Sequence, residues 1–253
     1  MKRTWSNISG FFKIVTSGCL MAAALLLPVP GMPQVPDLTG DYDMIFGEDF
    51  ITAGQYLSEN AWMADTLAAH GFDPCFAFAV IFPELIRYSS VRDFIETRGL
   101  EVLYVQYGSP YADFSVGHFQ MKPSFAEAIE EDILHAAIHS PDCVRVLPVT
   151  SDTSEASVRK SRLFSLQSEE GQLAYLEAFL RVVEGLYPEW DSLAPEEKVQ
   201  FYASAYQGGY REGGQHIGSM VHSKYFHTGL PVGATKYSYA DISVFFYRKC
   251  RDH

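Results

Sequence analysis

The chain has 253 residues, of which 47% are hydrophobic, 20% charged and 14% aromatic, with a formal net charge of −12. That composition suits a globular protein with one sizeable core. The acidic balance argues against nucleic acid as a partner, because its phosphates would be repelled.

The first segment reads as an export signal. Lys2, Arg3 and Lys13 flank an apolar run, "IVTSGCLMAAALLLPVP", that gives way to polar sequence. A basic start, an apolar middle and a Pro/Gly exit over residues 1–31 fit a secretory signal peptide. An uncleaved anchor is the competing reading, since the run is nearly long enough to span a bilayer. Membrane contact is expected through that uncleaved segment or not at all. Processing at Cys19 as a lipoprotein is disfavoured, because the apolar run continues past it. Residues 1–31 hold three of the 19 basic residues and no Asp or Glu, leaving 16 against 31 acidic ones, or about −15. Cys75, Cys143 and Cys250 remain, allowing one disulfide in an oxidising compartment with three possible pairings. Cys75 itself reads as a small buried hydrophobe.

Residues 32–58 read as a linker or N-terminal extension, opening with "PVPGMPQVP" from residue 28, and residues 59–253 as one mostly helical domain. "ENAWMADTLAAHG" is predicted to be a helix ending at Gly71. "DPCFAFAVIFPELIRYSSVRDFIETRG" starts a second, with Asp73 as N-cap, Pro74 at the first position and a bend or break at Pro83. "LEVLYVQYGSPYADFSVGHFQMKP" lacks a helical period and predicts short extended segments or a loop. Further helices are expected over "PSFAEAIEEDILHAAIHS" with Ser124 as cap, "SEEGQLAYLEAFLRVVEGLYP", "APEEKVQFYASAYQGG" and "YSYADISVFFYRKC". No internal repeat or low-complexity tract is present.

Three strings in this order carry chemistry. Glu84 follows the apolar run "CFAFAVIF" directly after Pro83. Residues 114–128 contain Gly117, Gln120, Met121, Pro123 and Ala126 in "GHFQMKPSFA". Residues 201–210 contain Ala203, Ala205, Tyr206 and Gly209 in "ASAYQGG". The order resembles the lysozyme-like superfamily, in its lytic transglycosylase and goose-type lysozyme branch, over roughly residues 60–215. There a helix delivers a catalytic Glu, a "GLMQI-P-TA" motif lines the cleft, and an "AAYNAG" helix closes it. The chain departs at Leu85, where that group has Ser, at Pro83, and at Gln207, where it has Asn. The interval from Glu84 to Gln120 is closer to the goose type.

The resemblance implies a mainly α (α+β lysozyme-like) fold. It is a single helical domain with a short extended or loop insertion flanking the cleft. It implies an exported monomer that acts on peptidoglycan glycan strands, without cofactor. Glu84 would be the acid/base that cuts the MurNAc-β-1,4-GlcNAc bond and closes a 1,6-anhydro ring. Cleavage needs a proton on the leaving oxygen, and an apolar setting keeps a carboxyl protonated. The alternative reading of Glu84 is a carboxylate facing water in a first helical turn.

Asp113 is the candidate second carboxylate of a hydrolase, and equally a turn residue. Gln120, Gly117 and Met121 would line the cleft, Gln120 offering its amide to an N-acetyl group. Tyr206 would bond to Glu84 or stack on a sugar, Gln207 would lie beside it, and Tyr239 matches a tyrosine late in the family. His216, His222 and His227 do not share a helical face and do not read as a zinc site. A goose-type-like muramidase and a silent glycan-binding envelope protein are the alternatives.

Overall fold

The computed structural model describes residues 41–88, 90–135, 145–228 and 235–252. The expected signal segment, Cys19 and Cys143 lie outside them. Among the described residues the chain is mainly helical, with eleven α-helices and one two-stranded antiparallel sheet. In chain order the helices are α1 (Tyr42–Phe46), α2 (Glu48–Glu59), α3 (Ala61–Ala69), α4 (Pro74–Arg87), α5 (Ser90–Tyr107) and α6 (Pro123–His135). Then follow α7 (Glu155–Gln167), α8 (Glu169–Leu186), α9 (Pro195–Gly208), α10 (Gly214–Met220) and α11 (Tyr239–Arg251). Strands β1 (Lys224–Phe226) and β2 (Tyr237–Ser238) form the sheet just ahead of α11.

Helix α4 is the axis of the fold. The Asp73 side chain accepts a hydrogen bond from the Cys75 backbone N–H at 2.9 Å, and Pro74 occupies the first position. Every residue from Ala77 to Ile86 is buried. It packs mainly against α9 and α11, with α2, α3 and α8 completing its surround. Phe82 stacks on Phe246 at 3.9 Å and meets Phe50 edge-on at 4.9 Å.

Pro83 does not break this helix, which runs through it to Arg87. A proline in mid-helix costs about 3 kcal/mol, and burial of four or five large apolar side chains at about 1.5–3 kcal/mol each outweighs it. Pro83 has no N–H to give Ala79. One residue on, the Val80 carbonyl accepts a hydrogen bond from the Tyr239 hydroxyl at 3.1 Å.

Elsewhere the structure departs from the sequence-based expectation. The described part of the supposed linker holds α1 and α2, with Tyr42, Phe46 and Ala53 buried in the main core. Residues 100–107, expected as extended or loop, complete α5. Ser124 lies inside α6, and α7 has no counterpart among the predicted helices. Helix α7 packs on α5 through Arg162, which is buried by pairing with Glu130 at 2.5 Å and bonding the Tyr104 hydroxyl at 2.5 Å.

Cys75 is not an isolated small hydrophobe: it forms a disulfide with Cys250. The bond joins the first turn of α4 to the last turn of α11. No described helix is long and apolar enough to cross a membrane.

Candidate active site

A cleft of about 500 Å³ opens between the end of α4, the loop before α6, and the C-terminal end of α9. Its wall includes Glu84, Gln120, Met121, Tyr206 and Gln207. Four of the sequence-predicted binding residues therefore meet the predicted acid in one cavity.

Glu84 lies one turn from the end of α4 and is 4% exposed. Its carboxylate pairs with Arg87 at 2.5 Å, one turn further along the helix. Burial alone favours the neutral acid, whereas the guanidinium favours the carboxylate. The apolar run thus does not act on Glu84 unopposed, a correction to the sequence-based expectation. Tyr239, fully buried beneath the cleft, also hydrogen-bonds to Glu84. Burial raises the Tyr239 hydroxyl well above its ordinary pKa, with the Glu84 charge acting in the same direction. Tyr206 is raised well above the ordinary value for the same two reasons, burial first and Glu84 second. Both hydroxyls are thereby kept protonated; the expected bond from Tyr206 to Glu84 is replaced by one to the Phe119 carbonyl, and it is Tyr239 that bonds to the carboxyl group.

The loop that presents Gln120 is tightly built. Val116 and Met121 exchange backbone hydrogen bonds at 2.9 and 3.1 Å, closing a turn over residues 117–120. Gly117 has φ +69°, and a Cβ there would sit 2.1 Å from the Gln172 Nε2. Only glycine fits both the backbone and the space, so Gly117 shapes the wall without lining it. Gln120 is the one described non-glycine residue with positive φ, at 51°, and its Nε2 donates to the Gly117 carbonyl at 2.8 Å. From behind, the buried Gln172 accepts from the Phe119 N–H at 2.8 Å, and the Tyr206 hydroxyl donates to the Phe119 carbonyl at 2.7 Å. On the outer side His118 is stacked between Tyr56 and Tyr88, with ring centroids 4.0 Å from each.

Asp113 is not on the cleft wall. Its two carboxylate oxygens accept from the Ser124 backbone N–H at 2.8 Å and hydroxyl at 2.7 Å. It caps the first turn of α6 from eleven residues upstream, the role that the sequence suggested for Ser124. Asp113→Ala is therefore expected to lower stability by about 1 kcal/mol in thermal unfolding, with turnover per folded molecule within a few-fold of wild type. Loss of turnover without loss of stability would restore it to the chemistry.

Sequence reasoning missed Arg87, Lys122, Arg211 and Glu212 on the wall. Lys122 lies inside the quoted string "GHFQMKPSFA" and Arg211 directly follows residues 201–210, so position in or beside those strings is the signal that could have found them. Arg211 pairs with Glu131 and Asp132, both at 2.8 Å. Among the described residues, no group of three His, Cys, Asp or Glu side chains could hold a metal ion.

No family model, curated protein or solved structure matches this chain. The functional reading therefore rests on the geometry and on the order of the three strings.

Proposed function

We propose that the chain is an exported, lysozyme-like peptidoglycan lytic transglycosylase with Glu84 as general acid and base. The observation that carries this is a nearly buried carboxylate opening onto a 500 Å³ cleft whose wall draws on three sequence-distant motifs. Glu84 would protonate the glycosidic oxygen as the bond to the muramyl carbon breaks. The resulting carboxylate would then take the proton of the muramyl 6-hydroxyl as that oxygen closes the 1,6-anhydro ring. Tyr239, hydrogen-bonded to Glu84, would hold the carboxyl group in place, while Tyr206 braces the Gln120 loop through the Phe119 carbonyl. The Gln120 amide, whose Nε2 donates to the Gly117 carbonyl, would offer its oxygen and remaining N–H to an N-acetyl group.

The Cys75–Cys250 disulfide fits an oxidising compartment, in keeping with the signal expected from the sequence of residues 1–31. Asp113 is engaged by α6, which favours a mechanism with a single carboxylate. A muramidase would need a second one, and Glu212 is the other carboxylate on the wall.

Digestion of purified sacculi tests the reading by product mass. Anhydromuramyl products, one water lighter than hydrolysis products, are expected. Reducing-end products would make the enzyme a muramidase. Binding to sacculi without any soluble release would mark a glycan-binding protein.

A further inference from the structure

Among the described residues, three cations line the cleft of this acidic chain: Arg87, Lys122 and Arg211. Two have carboxylate partners outside the cleft wall. Lys122 faces Asp113 at 4.0 Å, and Arg211 is held by Glu131 and Asp132. Arg87 differs, because its partner is the residue assigned the chemistry. The pair spans one helical turn and is asymmetric: the Glu84 side chain is 5% exposed and that of Arg87 29%. Arg87 can therefore be reached from the cleft while Glu84 stays covered. Its guanidinium also lies over the Phe226 ring of β1, 5.7 Å from the centroid, a face on which it can remain when it turns from Glu84.

A carboxylate paired in this way cannot protonate a leaving group. We propose that Arg87 is a ligand-released positioning residue: it holds Glu84 ionised before the glycan binds, and an anionic substituent on the glycan draws the guanidinium away. Glu84 then takes up one proton from the bulk solvent that reaches the cleft, because burial without a counter-charge favours the neutral acid. Among the described residues, those shown facing Glu84 are Arg87 on its own helix, Tyr206 from α9 and Tyr239 from α11. Both tyrosines remain neutral, so Arg87 is the facing cation on which the protonation state turns. The inference rests on the glycan-cleaving reading of the cleft and adds a specificity to it. Glycans that carry a carboxylate at the reacting sugar would activate their own acid, and neutral aminosugar polymers would not.

Two measurements test this on the folded protein with its disulfide intact. The first follows the Glu84 carboxyl by carbon NMR in wild type, Arg87→Gln and Arg87→Lys, with Glu84→Gln identifying the signal. The midpoint is expected to rise by about 1–3 pH units in Arg87→Gln and to stay near wild type in Arg87→Lys. In wild type it should also rise when a peptide-free MurNAc–GlcNAc oligomer, which carries lactyl carboxylates, is added.

The second compares kcat/KM for that oligomer and for a chitin oligomer of equal length. The preference for the anionic oligomer is expected to fall about 10- to 100-fold in Arg87→Gln, the loss of one hydrogen bond between charged groups, and to persist in part in Arg87→Lys. An unchanged Glu84 midpoint, or an unchanged preference, overturns the proposal. If wild type cleaves neither oligomer, the glycan-cleaving reading fails, and the midpoint with and without oligomer still decides the role of Arg87.

Discussion

Replacing Glu84 by Gln is expected to lower release of soluble muropeptides from sacculi by roughly 100- to 10,000-fold, while the folded structure and binding to sacculi persist. Glutamine keeps the volume of the buried side chain but has no proton to transfer to the glycosidic oxygen. Its amide oxygen can still accept from Arg87 and from Tyr239, so neither neighbour loses its hydrogen bond. The helix around it is held by a core that Glu84 does not share, from Ala77 to Phe82. A circular-dichroism spectrum and a melting curve close to wild type, with turnover lost, is therefore the expected combination. Turnover near the wild-type rate would remove Glu84 from the chemistry and leave the cleft without its acid.

The second large effect lies at the far end of the same helix. The Cys75–Cys250 bond closes a loop across 175 residues of sequence. Restraining so long a segment in the unfolded chain is worth about 5 kcal/mol. For a unit of this size that corresponds to a melting temperature lower by roughly 10 °C in Cys75→Ser/Cys250→Ser than in the oxidised wild type. Reductant should shift wild type by a similar amount and leave the double variant unmoved. Equal melting temperatures for the three would mean that the ends of α4 and α11 are held by packing alone. The packing there is real but small: Ala79, Val199, Val244 and Tyr247 form their own minor cluster.

How much of this could be read from residues alone depends on what each residue is asked to do. The start of α4 was legible because Asp73 and Pro74 act locally, through one hydrogen bond and one fixed torsion. The end of α9 was legible for the same reason: the predicted helix string closes on Gly208 and Gly209, and Gly209 caps the helix with φ +101°. The end of α5 was not. Only Leu100 and Tyr104 are buried there, while Val102, Leu103 and Tyr107 are exposed, so apolar residues on the solvent side erase the helical period.

Helix α7 was hidden differently. Its inward face carries Arg162 beside Leu163 and Leu166, and its outward face Phe164, which is 73% exposed, so an inward cation and an outward ring blur the amphipathic pattern. Arg162 can be inside only because Glu130 and Tyr104 await it on other helices, and that information is long-range.

The site divides along the same line. Glu84, Gln120 and Tyr206 were found as motif members. The part played by Asp113 followed from a contact eleven residues away, and that of Arg87 from an environment no motif describes.

The ring sandwich of Tyr56, His118 and Tyr88 has a bearing on what counts as the working unit. Tyr56 belongs to α2, ahead of every residue in the three motifs, yet its ring lies flat on the loop that carries Gln120. The same helix sends Phe50 against Phe82, two residues from Glu84. The cleft is therefore buttressed by a segment with no motif of its own. A fragment trimmed to the recognisable strings, beginning near residue 60, would keep every residue of the cleft wall and lose the brace that holds one side of it in register. The smallest unit that keeps the braced cleft therefore begins no later than α2, ahead of the first helix that the motifs make visible.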